Sequence, residues 1–193
     1  MKNILLSMMA LIFISQVGFT EPHKIDKSHS SIAFEVKHLT IATVPGFFSD
    51  YTAKISWDAK NLEKSSFEGE VMVDSINTNN TKRDAHLKAD DFFNAKKYPK
   101  IYFKSSSITK GNEKGSYQLK GKLTIRNVSK DVSTILKVAG PVKDPWGKER
   151  MVFATEFEID RFDYDIKFNK TIETGGLVVS KKVKLKVEIE TIL

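Results

Sequence analysis

Four histidines are the side chains of this 193-residue chain best suited to acid–base chemistry or metal binding, since it contains no cysteine. They are His23, His29, His38 and His86, and no two of them have the spacing of metal ligands. His86 and Asp90 are four residues apart, which would place both on one face of a helix and suits a metal ligand or an oriented general base. The sequence has no nucleophile elbow, zinc-protease motif or phosphate-binding glycine loop. We therefore interpret the histidines as structural and expect no catalytic residue, no metal site and no cofactor.

Aromatic side chains are a more promising group, because the chain has 13 phenylalanines. Many of them fall on the apolar side of alternating segments, and Phe92 and Phe93 lie together in a predicted loop. Such side chains fill the core of any β protein, and they also line pockets for apolar ligands. Periodicity alone leaves both interpretations open.

The elements that position these residues are predicted by side-chain alternation. In residues 177–192, apolar side chains occupy one phase and mostly lysine and glutamate the other, which is typical of a strand with one dry and one wet face. Lys181 falls in the dry phase and predicts a bulge near Ser180. About eight such segments follow one another from Ser31 onward. This number predicts an all-β fold, an elongated eight-stranded antiparallel barrel.

One stretch departs from the alternation and predicts the only helix. Residues 78–88 are polar and lack a period of two, and Thr81 is followed three positions later by Asp84, a weak helix-start signal. We expect a short helix that ends near Asp90, then a loop that carries Phe92 and Phe93.

The first residues have the composition of a secretory signal. Lys2 precedes an apolar stretch, residues 4–14, and small residues follow. That stretch is shorter than the roughly 20 apolar residues that span a membrane, although a retained anchor stays an alternative. We expect residues 1–20 to be a cleaved signal peptide and residues 21–193 to form one exported domain.

The net charge of +7 leaves two interpretations of the surface. Lysines occupy the polar phases of the strands, where they would coat a solvated barrel exterior. The same lysines would attract anionic lipid head groups or nucleic acid. We favour the solvated exterior over nucleic-acid binding, and contact with a membrane surface stays open.

Several motifs in a fixed order resemble the YceI-like family along essentially the whole mature chain. They are Ile-Asp-Lys-Ser-His-Ser at 25–30, Phe-x-Val-Lys-His-Leu at 34–39, Arg-Asp-Ala-His-Leu at 83–87, Lys-Tyr-Pro-Lys-Ile-Tyr-Phe at 97–103, Gly-Lys-Leu-Thr-Ile at 121–125 and Arg-Phe-Asp-Tyr at 161–164. One departure is Arg126-Asn127, where the family usually has a glycine. Asparagine tolerates left-handed geometry, so the turn can be kept.

The resemblance implies a periplasmic, lipocalin-like barrel that binds a polyisoprenoid or another long-chain amphiphile in an elongated cavity, often as a homodimer. It favours a cavity over a packed core and a non-enzymatic role in transport, storage or sequestration. Strand phase predicts the residues that bind the ligand, with His38 and Tyr51 as polar contacts and the two loop phenylalanines as a lid: Phe34, Val36, His38, Phe47, Tyr51, Phe92, Phe93, Phe103, Leu119 and Leu123.

The alternative is an enzyme that acts on an isoprenoid or quinone-like substrate. Asp84, His86 and Arg161 would then serve as acid, base and anion clamp. The family resemblance carries these three residues as well, but neither the resemblance nor their chemistry implies a catalytic role.

Overall fold

The computed structural model describes residues 23–171 and 177–193, so the predicted signal peptide lies outside the described residues. The described chain forms antiparallel strands and a single α-helix, α1 (Thr81–Lys88). The strands are β1 (Lys24–His38), β2 (Ala42–Phe48), β3 (Tyr51–Ser56), β4 (Ser66–Met72), β5 (Ile76–Asn77), β6 (Lys100–Lys110), β7 (Ser116–Ile125), β8 (Val128–Lys143), β9 (Glu149–Asp160) and β10 (Val179–Ile192). No helix of the described residues is both long enough and apolar enough to cross a bilayer.

All strands belong to one curled sheet in the order β3-β4-β6-β7-β8-β9-β10-β1-β2-β5. The ten strands differ from the predicted eight because two long strands are each broken once. β2 and β3 are separated only by Ser49 and Asp50, and β4 and β5 only by the 3-10 turn Val73–Ser75. Since β2 pairs with β5 and β3 pairs with β4, the four pieces act as one bent hairpin. The predicted all-β, lipocalin-like architecture with one short helix is therefore confirmed, with a corrected strand count.

The ring of strands is completed between β1 and the bent hairpin. β1 pairs along its length with β10, from Lys24 opposite Ile192 to His38 opposite Val179. Its other edge pairs with β2, and just before its first residue the His23 amide donates to the Ile55 carbonyl oxygen of β3 at 2.9 Å. These contacts curl the sheet so that its apolar face is enclosed.

The predicted bulge in the last strand is confirmed. The register between β1 and β10 shifts between the pairs Val36–Val183 and His38–Val179. The Ser180 hydroxyl donates to the Lys182 carbonyl oxygen at 2.7 Å and accepts from the Lys37 amide at 3.1 Å. Two extra residues on β10 turn Lys181 to solvent, so that Val179 and Val183 both face the interior.

Helix α1 is confirmed, but the residue that caps its N-terminus lies one position earlier than the predicted start signal at Thr81. The Asn80 side chain, not Thr81, caps the helix by accepting from the Arg83 amide at 3.0 Å. The Asp84 carboxylate reaches back and accepts from the Thr78 amide at 2.9 Å, which ties the first turn of α1 to the end of β5. The helix is therefore held against the sheet although it buries no residue completely.

One end of the barrel is filled by aromatic rings, which we call the base. The Trp57 ring contacts Tyr117 edge-on at a centroid distance of 4.8 Å and Phe153 at 5.6 Å. Phe67 lies 5.3 Å from Phe153. Offset and edge-on aromatic pairs of this kind pack densely. The opposite end, beside α1, is where β1, β7 and β9 finish, and we call it the mouth.

Candidate functional site

An elongated cavity of about 420 Å³ runs through the barrel. This volume is within the range of roughly 300–1,000 Å³ that is usual for small-ligand sites. Along β10 its wall extends from Val179 to Ile189, which corresponds to roughly 30 Å of strand. The inward phase of nearly every strand contributes apolar side chains, so the alternation that forms the sheet also builds the wall.

Eight of the residues predicted from strand phase and loop position line this cavity. They come from β1, β6, β7 and the segment after α1: Phe34, Val36, His38, Phe92, Phe93, Phe103, Leu119 and Leu123. His38 lies at the last position of β1, so the imidazole is a polar group of the wall at the mouth. Whether these residues bind a ligand stays a prediction.

The prediction that Phe47 lines the cavity is wrong, because its side chain is on the outer face and 40% exposed. The prediction extended one alternation from Phe47 through Tyr51. Two residues, Ser49 and Asp50, instead break the strand between Phe48 and Tyr51, both of which are buried. The spacing from one inward residue to the next is therefore three across the break, and the phase inverts. Phe48 lines the cavity in place of Phe47.

The prediction that Tyr51 lines the cavity is also wrong. Its side chain is buried, but it belongs to the packed core and not to the cavity wall. Its side chain is only 4% exposed, and burial raises the pKa of its phenol. Because Tyr51 is not among the residues that line the cavity, it does not offer the polar contact to a ligand that strand phase predicted. Among the predicted polar contacts, only His38 reaches the cavity.

Gly69 is the feature of the wall that the prediction missed. A β-carbon added there would meet nothing nearer than the Thr52 carbonyl oxygen at 4.0 Å, so the space in front of it is open. Ala53, directly opposite on β3, also lines the cavity. At Gly121, by contrast, an added β-carbon would lie 2.6 Å from the Phe103 ring. Phe103 thus leans toward β7 and leaves the space beside Gly69 unfilled.

Aromatic rings from two loops close over the mouth. Phe92 stacks on Phe168 with centroids 4.7 Å apart, and the His86 ring meets both edge-on at 4.9 and 5.2 Å. Phe93 contacts Phe48 edge-on at 6.2 Å. Phe92 and Phe93 therefore occupy the place of a lid, between α1 and the cavity.

Arg126 holds this lid from the turn between β7 and β8. One guanidinium nitrogen, Nη1, donates to the Phe92 carbonyl oxygen at 2.6 Å and to the Asp165 carbonyl oxygen at 2.7 Å. The guanidinium also lies 5.6 Å from the centre of the Tyr98 ring. Arg126 and Asn127 both have positive φ, 51° and 61°, so the left-handed turn is kept without glycine.

The candidate catalytic residues Asp84, His86 and Arg161 are each bound to other partners. Asp84 accepts from Thr78, and His86 Nε2 lies 2.8 Å from Asp91 Oδ2. The expected partner of His86 was Asp90, on the same helix face. Because α1 ends at Lys88, Asp90 is not part of the helix, and Asp91 is the partner instead. The three residues share no hydrogen bond with one another in the described part of the chain.

Arg161 is a buried structural cation beneath the mouth. It is 3% exposed and donates to the carbonyl oxygens of Ser180, Val179 and Ile166 at 3.0, 3.1 and 2.7 Å. Burial lowers the pKa of its guanidinium. Arg161 also lines the cavity, but its three hydrogen bonds to backbone oxygens join β10 to the loop after β9 and do not form an anion clamp.

A second charged cluster lies near the base, away from the cavity. Arg150 donates to Asp144 at 2.8 Å, Asp26 at 2.7 Å and Glu190 at 2.6 Å. Hydrogen bonding to Arg150 holds the pKa of Asp26 and of Asp144 below the usual range of a carboxyl group. Asp26, His29 and Glu190 are close enough together to ligate a metal, but the guanidinium already supplies the positive charge between the two carboxylates.

The fold and this cavity define a lipocalin-like antiparallel barrel with an apolar interior, the size at which a barrel holds one small ligand. The YceI-like domain matches residues 23–191, and the chain belongs to the YceI-like family. It is 33% identical to protein YceI of Escherichia coli over 164 residues, which cover 84% of this chain and 85% of that protein. The predicted family is confirmed.

Two solved structures have the same fold. The YCEI protein of Campylobacter jejuni is 34% identical and superposes with a TM-score of 0.70, covering 89% of this chain and 97% of its own. A polyisoprenoid-binding domain from Saccharophagus degradans is 15% identical with a TM-score of 0.67, covering 88% of this chain and 97% of its own.

Proposed function

We propose that this protein binds a polyisoprenoid or another long-chain amphiphilic lipid inside the barrel. The observation that carries the proposal is the shape and chemistry of the cavity. It is long, it is lined mainly by aliphatic and phenylalanine side chains, and it has an aromatic base and an aromatic lid. An apolar tail buried there would gain roughly 25 cal/mol per Å² of surface removed from water.

The imidazole and guanidinium groups of the wall lie toward one end of the cavity and give the ligand a direction. His38, Thr78, Arg83 and His86 all line the cavity near the mouth, whereas Ile55, Phe67 and Phe153 line it toward the base. The tail would therefore point to the base and the head group to the mouth. The Saccharophagus degradans domain with this fold, which binds a polyisoprenoid, supports a lipid of this class.

The role of such a protein would be to carry, store or sequester the lipid outside the cytoplasm. The apolar stretch at residues 4–14 supports export, and the family resemblance supports a periplasmic location and a homodimer. The basic surface supports a transient contact with membranes, from which the lipid would be taken. Nucleic acid is not among the proposed partners.

A binding role is favoured over an enzymatic one by the hydrogen bonds of the candidate catalytic residues. A general base or an anion clamp needs a side chain that is available to the substrate. Arg161 donates to three backbone carbonyl oxygens, and Asp84 accepts from the Thr78 amide and hydroxyl. Both residues are engaged in holding the mouth segments together.

The experiment is to purify the protein from its native host, extract it with organic solvent and identify the extract by mass spectrometry. We expect a long-chain isoprenoid or amphiphile in an amount close to that of the protein. The variant expected to lose binding is Phe103→Glu. It places a carboxylate in the cavity wall and should abolish lipid loading while folded protein remains. A wild-type protein that contains no lipid, and that takes up none from a mixture of isoprenoids, would contradict the proposal.

A further inference from the structure

The loop between β1 and β2 presents an apolar side chain to solvent at the mouth. Ile41 is 82% exposed, the most exposed of the large apolar residues in the described chain. The two residues before it, Leu39 and Thr40, have φ angles of 51° and 65°. Left-handed geometry is unfavourable for a bulky and for a β-branched residue, and such conformations concentrate at functional positions. The loop thus holds Ile41 outward at a cost in backbone conformation.

The loop is continuous with the wall of the cavity. His38 and Val44, on either side of it, both line the cavity. The Leu39 amide donates to the Val178 carbonyl oxygen at 3.0 Å, and Val178 also lines the cavity. The loop that carries Ile41 is therefore joined on both sides to residues of the cavity wall.

Lysines from three neighbouring segments surround this loop. Lys37 is on β1 just before it, Lys181 is at the bulge of β10, and the Lys170 carbonyl oxygen accepts from the Val178 amide at 2.9 Å. All three lysines are exposed. Two carboxylates lie on the strands beside the rim lysines: Glu35, two residues before Lys37 on β1, accepts from Lys186, and Asp160 on β9 is opposite Lys182. We call Ile41 together with Lys37, Lys170 and Lys181 the rim.

We propose that the rim docks on a lipid bilayer that carries anionic head groups, with Ile41 inserted and the mouth facing the membrane. An exposed apolar residue among lysines matches the two layers of such a surface, the anionic head groups and the hydrocarbon beneath them. This inference rests on the proposed function and adds the face of the molecule through which lipid enters and leaves.

The test is co-sedimentation with vesicles of phosphatidylcholine, alone or mixed with phosphatidylglycerol. The variant is Ile41→Glu, and the matched control is Trp146→Glu. Trp146 is 80% exposed on the hairpin between β8 and β9, at the base, where Asp144 fixes the turn by accepting from the Trp146 amide at 2.9 Å. Both substitutions replace an exposed apolar tip with the same charge, but at opposite ends of the barrel.

We expect wild type and W146E to bind the anionic vesicles and I41E to bind at least fivefold less. Reversing Lys37 and Lys181 to glutamate should remove the dependence on phosphatidylglycerol and on salt. Equal binding of I41E and wild type, loss of binding in W146E alone, or no wild-type binding would each overturn the inference. So would a change in the oligomeric state of I41E on gel filtration, which would assign the rim to a second copy of the chain.

The lipid content of purified I41E separates this inference from the proposed function. I41E that carries lipid but does not bind vesicles supports both. I41E that carries lipid and binds vesicles as wild type does overturns the docking face alone. Wild-type protein that neither contains nor takes up lipid overturns the proposed function.

Discussion

Gly69 shows how a single missing side chain shapes the interior of this barrel. It lies on the inward phase of β4, opposite Ala53. The nearest atom that an added β-carbon would meet is the Thr52 carbonyl oxygen, 4.0 Å away. An interior of eight long strands is small enough for side chains alone to fill it. Two small residues side by side, Gly69 and Ala53, leave part of that interior free for a ligand.

At the residue scale we therefore predict that Gly69→Phe blocks the cavity. The ring enters open space, and glycine is itself unfavourable in a strand by roughly 0.5–1 kcal/mol relative to alanine. The variant should be at least as stable as wild type to thermal unfolding, yet lose most of its co-purified lipid. Ile135→Phe, which adds the same ring on the outer face, is the control and should keep its lipid. Full lipid content in G69F would contradict the assignment of the cavity as the ligand site.

The residue scale is also where prediction from the sequence reached its limit. Alternation placed Phe34, Val36, Phe103, Leu119 and Leu123 correctly because each lies within an unbroken strand. It failed at Phe47 because the break at residues 49–50 inverts the phase, and a two-residue break has no sequence signal strong enough to override the alternation around it.

At the scale of elements, Arg126 connects three segments of the mouth that are far apart in sequence. It belongs to the turn between β7 and β8, and it reaches the lid at Phe92, the loop after β9 at Asp165 and the ring of Tyr98. Which distant carbonyl oxygens an arginine binds depends on the packed fold, so the sequence alone could not assign this role.

We predict that Arg126→Ala loosens the lid. Loss of two hydrogen bonds from a charged donor should cost about 2 kcal/mol. For a chain of this size that corresponds to a fall in melting temperature of roughly 4–8 °C. Release of a bound fluorescent lipid should also become faster, because Phe92 is no longer tied to the β7–β8 turn. Lys130→Ala, on the same hairpin and exposed, is the control. A slower or unchanged release rate in R126A would show that Phe92 does not gate the cavity.

At the scale of the whole molecule, the alternation and the order of the motifs were sufficient for the fold class. Strand phases and a single non-alternating stretch predicted a barrel with one helix, and the resemblance indicated that it is hollow. The closure of the ring was less accessible, since it depends on pairing between β1 and β10 at opposite ends of the sequence and on a bent hairpin that alternation cannot reveal.

The charged cluster around Arg150 makes the stability of the closed barrel dependent on pH. Arg150 is on β9 and binds Asp26 of β1 and Glu190 of β10, so it joins the strands at the closure. The carboxylates of Asp26 and Asp144 have a folded-state pKa below that of the unfolded chain, because Arg150 donates to both. Their contribution is therefore present above the unfolded pKa of about 3.9 and is lost as the pH falls through the lower folded values.

We predict that the melting temperature falls below about pH 4 and that Asp26→Asn makes this fall less steep, with a lower stability at neutral pH. Asp131→Asn is the control, because Asp131 forms its ion pair with Lys122 on the exposed surface. Melting curves recorded between pH 2 and pH 7 check the prediction. Identical pH profiles for D26N and wild type would show that the Arg150 cluster does not couple the strands to pH.

The pairing of Lys24 with Ile192 has a practical consequence for handling the protein. It brings His23 and Leu193, the two ends of the described chain, to the base, at the opposite end of the barrel from the rim and the lid. A tether to a sensor chip, a fluorescent reporter or a second domain joined after Leu193 would therefore project away from the opening. Immobilised in this way, every molecule would present its entrance outward, and lipid uptake could be followed on a surface with one uniform orientation.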